Sequence, residues 1–259
     1  MKKIWLMGGF GNVLFQILAF RILNKADDKV KYVCTLTEKN IITRLLGWTI
    51  HRNIYYDFID KKNVLPFSFY SALFILIILK FNLRFLKKYA FFYKDNDFFE
   101  CPFSDNIFGY FQSRKFLSNN EEELLKLCSE IREKYKTTFL DVVVHFRCGD
   151  FIWSIEDRAY YNHIRELLSK EDKSILIVTD SLEDARIFFK EVNNVSFLSS
   201  KDPMCDFKNM ISARKFYCSP STFSWWAAHS LDKNSEVIMP LSFKHKMGIY
   251  VNRKNLTVL

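Results

Sequence analysis

Four short stretches gather residue types that can do more than pack. Gly8-Gly-Phe-Gly-Asn12 clusters three of the chain's seven glycines. Glycine lets a backbone approach a ligand closely, and a helix start beyond it offers unpaired N–H groups, which makes Gly9 and Gly11 candidate contacts. The spacing is not G-x-G-x-x-G, so a nicotinamide dehydrogenase fits poorly, and a strand–helix turn without any ligand competes. The second stretch is His145-Phe-Arg147-Cys-Gly149-Asp150. Arg147 carries the planar fork that grips a diphosphate, and Asp150 is a carboxylate placed to take a proton. An Arg147–Asp150 ion pair that only shapes the loop is the competing reading. In the third, Thr179-Asp180, the carboxylate either accepts hydrogen bonds from a guanine edge or a ribose, or caps a helix starting near Leu182. The fourth, Ser219-Pro-Ser221-Thr222-Phe-Ser224-Trp225-Trp226, places hydroxyls at a helix start, where an anion binds. Ser224 lies one turn on, with its hydroxyl able to turn back toward that anion, while the twin Trp suits the core.

Elements in regular alternation position these stretches. Lys3–Met7 reads as a strand, and a helix follows with Asn12 as its cap. Lys29–Thr35 reads as a second strand, and about 36–100 is an irregular, mostly helical middle. Ser118–Lys134 is amphipathic, with Asn119 or Asn120 as cap. From about 140 the rhythm is strict: strands at Asp141–Phe146, Ser174–Thr179, Val195–Leu198, Lys215–Cys218 and Glu236–Met239, separated by helical segments. Such alternation means βαβ units and a parallel sheet. Ligands of open parallel sheets bind beyond the strands' carboxyl ends, where all four stretches fall. An Arg and a hydroxyl-rich helix start at two such ends make a nucleotide-diphosphate cradle. It needs no divalent metal, since the C-terminal half has no Asp-x-Asp and Asp95-Asn-Asp97 reads as a turn.

Composition narrows the classes. The chain has 259 residues, 49% hydrophobic and 26% charged, which excludes disorder and fibrous repeats. Its net charge of +9 favours anionic partners. No run of five or more basic residues appears, so nucleic acid is not expected. Six scattered cysteines without a CxxC pair read as reduced thiols of a cytoplasmic protein. The uncharged stretch Val64–Leu79 falls short of the ~18–20 residues that span a bilayer. It reads as a buried helix or one lying on a membrane surface, where Lys80, Arg84, Lys87 and Lys88 would meet anionic lipid.

Four blocks resemble the inverting α-1,2-fucosyltransferases of glycosyltransferase family 11, which use GDP-fucose. Gly8-Gly-Phe-Gly-Asn-Val-Leu-Phe-Gln16 is similar to the family's opening G-G/R-L-G-N-Q-M/L-F-Q. Gly109-Tyr-Phe-Gln-Ser-Arg-Lys-Phe116 is similar to G-Y-F-Q-S-x-K-Y/F, and Val144-His-Phe-Arg-Cys-Gly-Asp-Phe151 to V/L-H-I-R-R-G-D-Y. The stretch from Asp206 to Trp226 resembles the block ending F-S-W-W, and Val178-Thr-Asp180 more weakly F-S-D. Cys148 stands where the family has a second Arg, Val13 where it has Gln, and Pro220 where it has Asn.

The resemblance implies an α/β, GT-B-like fold: two Rossmann-type halves, 1–138 on the acceptor side and 139–259 holding the GDP-sugar, with the donor cleft between them. It implies that Arg147 binds the diphosphate and His145 lines the nucleotide pocket. Ser221, Thr222 and Ser224 would lie near the phosphates, Asp180 near guanine, and Asn12 near the reacting sugars. The implied enzyme is a galactoside α-1,2-fucosyltransferase with catalytic residues Arg147, Asp150 and Asn12. It would need no cofactor or metal beyond its GDP-fucose donor. Its acceptor would be a galactoside-containing surface glycan, lipid-linked or of O-antigen type, met at the inner face of a bacterial membrane. A transferase of another nucleotide sugar, a non-catalytic GDP-sugar or glycan-binding module, and a membrane-associated structural protein are the alternatives.

Overall fold

The opening apolar run forms strand β1 (Lys3–Trp5), and the segment after the glycine turn forms helix α1 (Phe10–Ala26). The computed structural model describes residues 2–6, 8–26, 31–33, 57–65, 77, 91–92, 106–148, 153–200, 202–249 and 255–259. Asp150, Gly149, the Asp95-Asn-Asp97 turn and nearly all of the 64–79 stretch lie outside the described residues. The chain divides into two units, Met1–Leu124 and Leu125–Leu259.

In the first unit, helix α1 begins earlier than an Asn12 cap would allow. The N–H groups of Asn12 and Val13 both donate to the Gly9 carbonyl, at 3.0 and 3.1 Å, so Asn12 already lies inside the first turn. Every residue from Val13 to Phe20 is buried. A helix apolar on all sides has weak amphipathic rhythm and is buried. Gln16 is the one amide in that run; its Nε2 donates to the Gly109 carbonyl at 3.0 Å, which satisfies it. Strands β2 (Lys31–Val33), β3 (Val64–Leu65), β4 (Phe91–Phe92) and β5 (Asn106–Phe108) complete a parallel sheet in the order β3-β2-β1-β5-β4. The short helix α2 (Arg114–Asn119) follows, opened by Ser113, whose hydroxyl accepts from Phe116 N–H at 3.2 Å. Helix α3 (Glu121–Tyr135) carries three glutamates in its first turn, where the helix dipole favours anions. The division between the units runs through α3, which the sequence reading counts with the N-terminal half.

The second unit realises the strand–helix alternation. Its elements are β6 (Leu140–Phe146), α4 (Ile155–Leu168), β7 (Ile175–Thr179), α5 (Leu182–Phe188), β8 (Val195–Leu198), α6 (Pro203–Ile211), β9 (Ala213–Tyr217), α7 (Thr222–Ser230), β10 (Glu236–Met239), α8 (Leu241–Lys246) and β11 (Leu256–Val258). The sheet is parallel in the order β11-β10-β9-β6-β7-β8. Counted within the unit this is 6-5-4-1-2-3, the order of dinucleotide-binding Rossmann sheets. The fold is α/β with one Rossmann-type parallel sheet in each unit, as the sequence implied.

The valines of β6 are buried because both faces of a central parallel strand are covered. Phe146 anchors the cluster beneath one face, with the rings of Trp153, Tyr161, Phe188 and Phe189 all 5.0–5.1 Å from its own. Helix α4 starts at Ile155, because Ser154 and Asp157 form a reciprocal capping box. Trp225 and Trp226 are fully buried, which assigns the twin Trp to the core.

Candidate functional site

In a Rossmann sheet the ligand crevice opens where the strand order reverses. For the second unit that point lies between β6 and β9. Register then decides which side chains meet. Phe146 pairs with Thr179, so Arg147 emerges beside Asp180; Val144 pairs with Tyr217, so His145 emerges beside Cys218 and Ser219.

The β6–β9 junction is joined by a line of hydroxyls. His145 Nδ1 lies 2.7 Å from Ser219 Oγ, which lies 3.0 Å from Ser221 Oγ. Ser221 caps α7: its Oγ accepts from Ser224 N–H at 3.2 Å. Ser219 N–H in turn donates to Ser224 Oγ at 2.9 Å. The hydroxyls of Ser221 and Ser224 thus build the helix start from within, and Ser224 is completely buried. Thr222, the first residue of α7, is half-buried and sits at its open end. The helix presents backbone N–H groups of the kind that bind phosphate.

His145 is neutral at physiological pH. Burial and the neighbouring Arg147 guanidinium hold its pKa down to about 3. A neutral imidazole can give or take one hydrogen bond at each nitrogen, and it adds no repulsion to Arg147. Phe223 packs its ring edge-on to His145 at 5.8 Å, and Phe207 packs against Phe223 at 5.3 Å.

On the other side of β6, Asp180 acts across the strand ends. Its Oδ1 accepts from Cys148 N–H at 2.9 Å, and its Oδ2 lies 4.0 Å from Arg147 Nε. It does not cap α5, whose N-cap residue is Ser181. Both members of the Arg147–Asp180 pair are about one-third exposed (34% and 37%), so water screens it. The backbone around Arg147 is set firmly. Its N–H donates to the Tyr161 hydroxyl at 3.3 Å, and its carbonyl accepts from Trp153 Nε1 at 2.8 Å.

Asp206 opens the block that ends in the twin Trp, and sequence reasoning gave it no role of its own. It lies in the first turn of α6, with Oδ1 accepting from Ser200 N–H at 3.3 Å. Burial, helped by the charges of Asp202 and Asp180, pushes its carboxyl up to about 7. The available signal was its place as the first residue of the block ending in the twin Trp.

A cavity of about 600 Å³ is lined by Phe146, Cys148 and Trp153 together with Arg158 of α4 and Asp184 and Phe188 of α5. The Cys148 thiol there is pushed up to about 11 by burial and the nearby Asp180 charge, so it stays protonated. None of Arg147, His145 or the hydroxyl line walls this cavity.

Gly9, Gly11 and Asn12 belong to the first unit and gather at its own switch point, between β1 and β5. Gly9 is half-buried and supplies the carbonyl that starts α1; Gly11 is buried in the first turn. Asn12 is half-buried, and its Oδ1 accepts from Gln112 Nε2 at 2.8 Å. Asp150 lies outside the described residues. Among the described residues no helix is long and apolar enough to cross a membrane.

No protein-family model matches the sequence, and no curated protein matches it. Among solved structures, the E. coli heptosyltransferase WaaC with ADP is similar over 100% of this chain and 92% of that one, at 13% identity and a TM-score of 0.49. The fucosyltransferase NodZ from Bradyrhizobium is similar over 89% of this chain and 93% of its own, at 12% identity and a TM-score of 0.45. A family 9 glycosyl transferase from Veillonella parvula covers 99% of this chain and 84% of its own, at 12% identity and a TM-score of 0.48. At such identities and scores these likenesses carry no argument about reaction or substrate.

Proposed function

We propose that the chain is an inverting glycosyltransferase that moves fucose from GDP-fucose to a hydroxyl, O2 of a terminal galactose, on a surface glycan. The observation that carries this reading is the hydroxyl line from His145 through Ser219 to Ser221. It ties the Arg147 strand end to the start of α7 at a Rossmann switch point. That is a place built for a nucleotide diphosphate. The blocks that resemble family 11 support it independently. Gly8–Gln16 and Gly109–Phe116 follow β1 and β5, the described part of Val144–Phe151 spans the end of β6, and Ser219–Trp226 follows β9.

Transfer passes through an oxocarbenium-like transition state, as glycoside cleavage does. Charge grows on the leaving GDP, and Arg147 with the N–H groups of α7 is there to meet it. Neutral His145 holds Ser219 and lines the nucleotide. Asp150 takes the acceptor proton, and Asn12 orients the acceptor hydroxyl. Charge from Arg147 and a helix terminus stands where a divalent ion would otherwise serve, so the reaction runs without metal. The acceptor is a lipid-linked or surface glycan, and the 64–79 stretch with the basic residues after it brings the chain to an anionic membrane surface.

The test is GDP release from GDP-fucose with a panel of galactosides, set beside GDP-mannose and UDP-galactose. Release with GDP-fucose alone, dependent on a galactoside, is expected. Preference for another nucleotide sugar would move the donor assignment. Binding of GDP without release for any acceptor would leave a binding module. Flotation with anionic vesicles at moderate salt checks the membrane contact; equal recovery without lipid would remove it.

A further inference from the structure

The switch point of the first unit gathers amides rather than charges. Gly8 follows β1 at φ +84°, and a Cβ on it would stand 2.6 Å from Asn12 Nδ2. Gln112 follows β5 and donates from Nε2 to Asn12 Oδ1 at 2.8 Å. The Asn12 side chain is thus held from two sides, with room made by Gly8 and its oxygen turned by Gln112. The loop carrying Gln112 is itself constrained. Phe111 is fully buried at φ 53°, a left-handed conformation rare for an aromatic residue, and Gln16 pins the Gly109 carbonyl. Backbone strain of this kind persists where the surroundings enforce it, and it clusters at ligand sites.

We propose that Gln112 is the positioning residue for Asn12. It sets the amide with Oδ1 toward Gln112 and Nδ2 over Gly8, so that Asn12 meets the acceptor as a donor of hydrogen bonds. The ligand class that suits this end of the amide is an uncharged hydroxyl, which accepts from Nδ2 and brings no charge to neutralise. The role rests on the transferase reading, in which the acceptor hydroxyl approaches Asn12. Gln112 does not touch the acceptor itself.

Gln112→Glu keeps size and shape but replaces the donor with a carboxylate, from which Asn12 Oδ1 cannot accept, so the Asn12 amide must turn over. Turnover is expected to fall by up to about 100-fold, the scale of a misplaced reacting group, with melting temperature and GDP affinity unchanged. Gln112→Met, which lacks the donor without adding charge, gives a second reading should the carboxylate disturb folding. In a double-mutant cycle, Asn12→Ala with Gln112→Ala is expected to be no slower than Asn12→Ala alone, because Gln112 acts only through Asn12. In parallel, ¹⁵N-asparagine labelling isolates the Asn12 side-chain amide, identified by its loss in Asn12→Ala, and Gln112→Glu is expected to shift it. Additive losses in the cycle, or wild-type turnover in both Gln112 variants, would overturn the role. If the unaltered protein releases GDP from no nucleotide sugar, the transferase reading falls. The amide resonance still decides the positioning, since an unshifted Asn12 signal in Gln112→Glu overturns it.

Discussion

The two switch points occupy the same topological place in two parallel sheets, yet their chemistry differs. Between β6 and β9 stand a neutral imidazole and a line of hydroxyls ending at a helix start, and a guanidinium–carboxylate pair flanks them at the β6 and β7 ends. Between β1 and β5 stand a glycine turn and an Asn12–Gln112 amide pair. Topology makes the crevice in both cases; side-chain charge decides what enters it. A diphosphate needs cationic and N–H groups, whereas a sugar hydroxyl needs only a well-aimed neutral partner. In the proposed reading the donor belongs to the second unit and the acceptor to the first, and that reading can be broken by experiment.

The largest effect is expected at Asp150. Asp150→Asn should lower turnover by about 10²–10⁴-fold while GDP affinity stays as it was, since proton removal follows binding. Calorimetry with GDP beside steady-state rates checks this. GDP binding lost as badly as in an Arg147 variant would make Asp150 a structural partner of Arg147 and send the search for the base elsewhere.

Arg147→Ala comes next. A charge-assisted hydrogen bond is worth about 1.5–3 kcal/mol, so GDP should bind roughly 10- to 150-fold more weakly. Arg147→Lys should recover part of this, because it restores charge without the fork. Unchanged GDP affinity in Arg147→Ala would erase the difference between the two switch points.

Ser221→Ala removes the cap of α7, and a loss of about 1 kcal/mol in denaturant melts is expected. A larger loss would mean that the hydroxyl line to His145 carries stability of its own.

Asp206 sharpens the electrostatic side. Its folded pKa, about 7, is above its usual value of 3.8, so the unpenalised state is the protonated one. Its contribution is whole below about pH 4 and is lost as pH rises through 7. Asp206→Asn should therefore raise the melting temperature at pH 8 relative to the unaltered protein and change little at pH 4. His145 works in the opposite sense, because its depressed pKa removes stability as pH falls from about 6.5 toward 3. Equal melting shifts for Asp206→Asn at both pH values would show that its carboxyl is not held up.

The smallest expected effect is that of metal removal. Turnover in excess EDTA should equal turnover with magnesium. A loss that manganese or magnesium restores would show that Arg147 and α7 do not suffice to carry the leaving diphosphate.

Much of the second unit was legible because its strands are short β-branched runs and its helices keep their rhythm. The β8 and β10 strands agree residue for residue. Other elements left weaker marks. Helix α8 and strand β11 follow the last strand that the pattern suggested. Asn12 has a residue type that caps helices, but the Gly9 carbonyl accepts from both Asn12 and Val13, and the helix starts before it. The Ser154–Asp157 box was present in the sequence as a start signal and sets where α4 begins.

By itself the sequence determined the class of fold and the residue types available at each strand end, because hydrophobic rhythm and side-chain chemistry are local properties. Only the tertiary structure decided their partners. Asp180 joins Cys148 and Arg147 because β6 and β7 pair in one register, and Asn12 joins Gln112, 100 residues away, because β1 lies beside β5. Strand order and register are settled by the packing of the whole sheet, so a residue's neighbour across strands is written in no single stretch of chain.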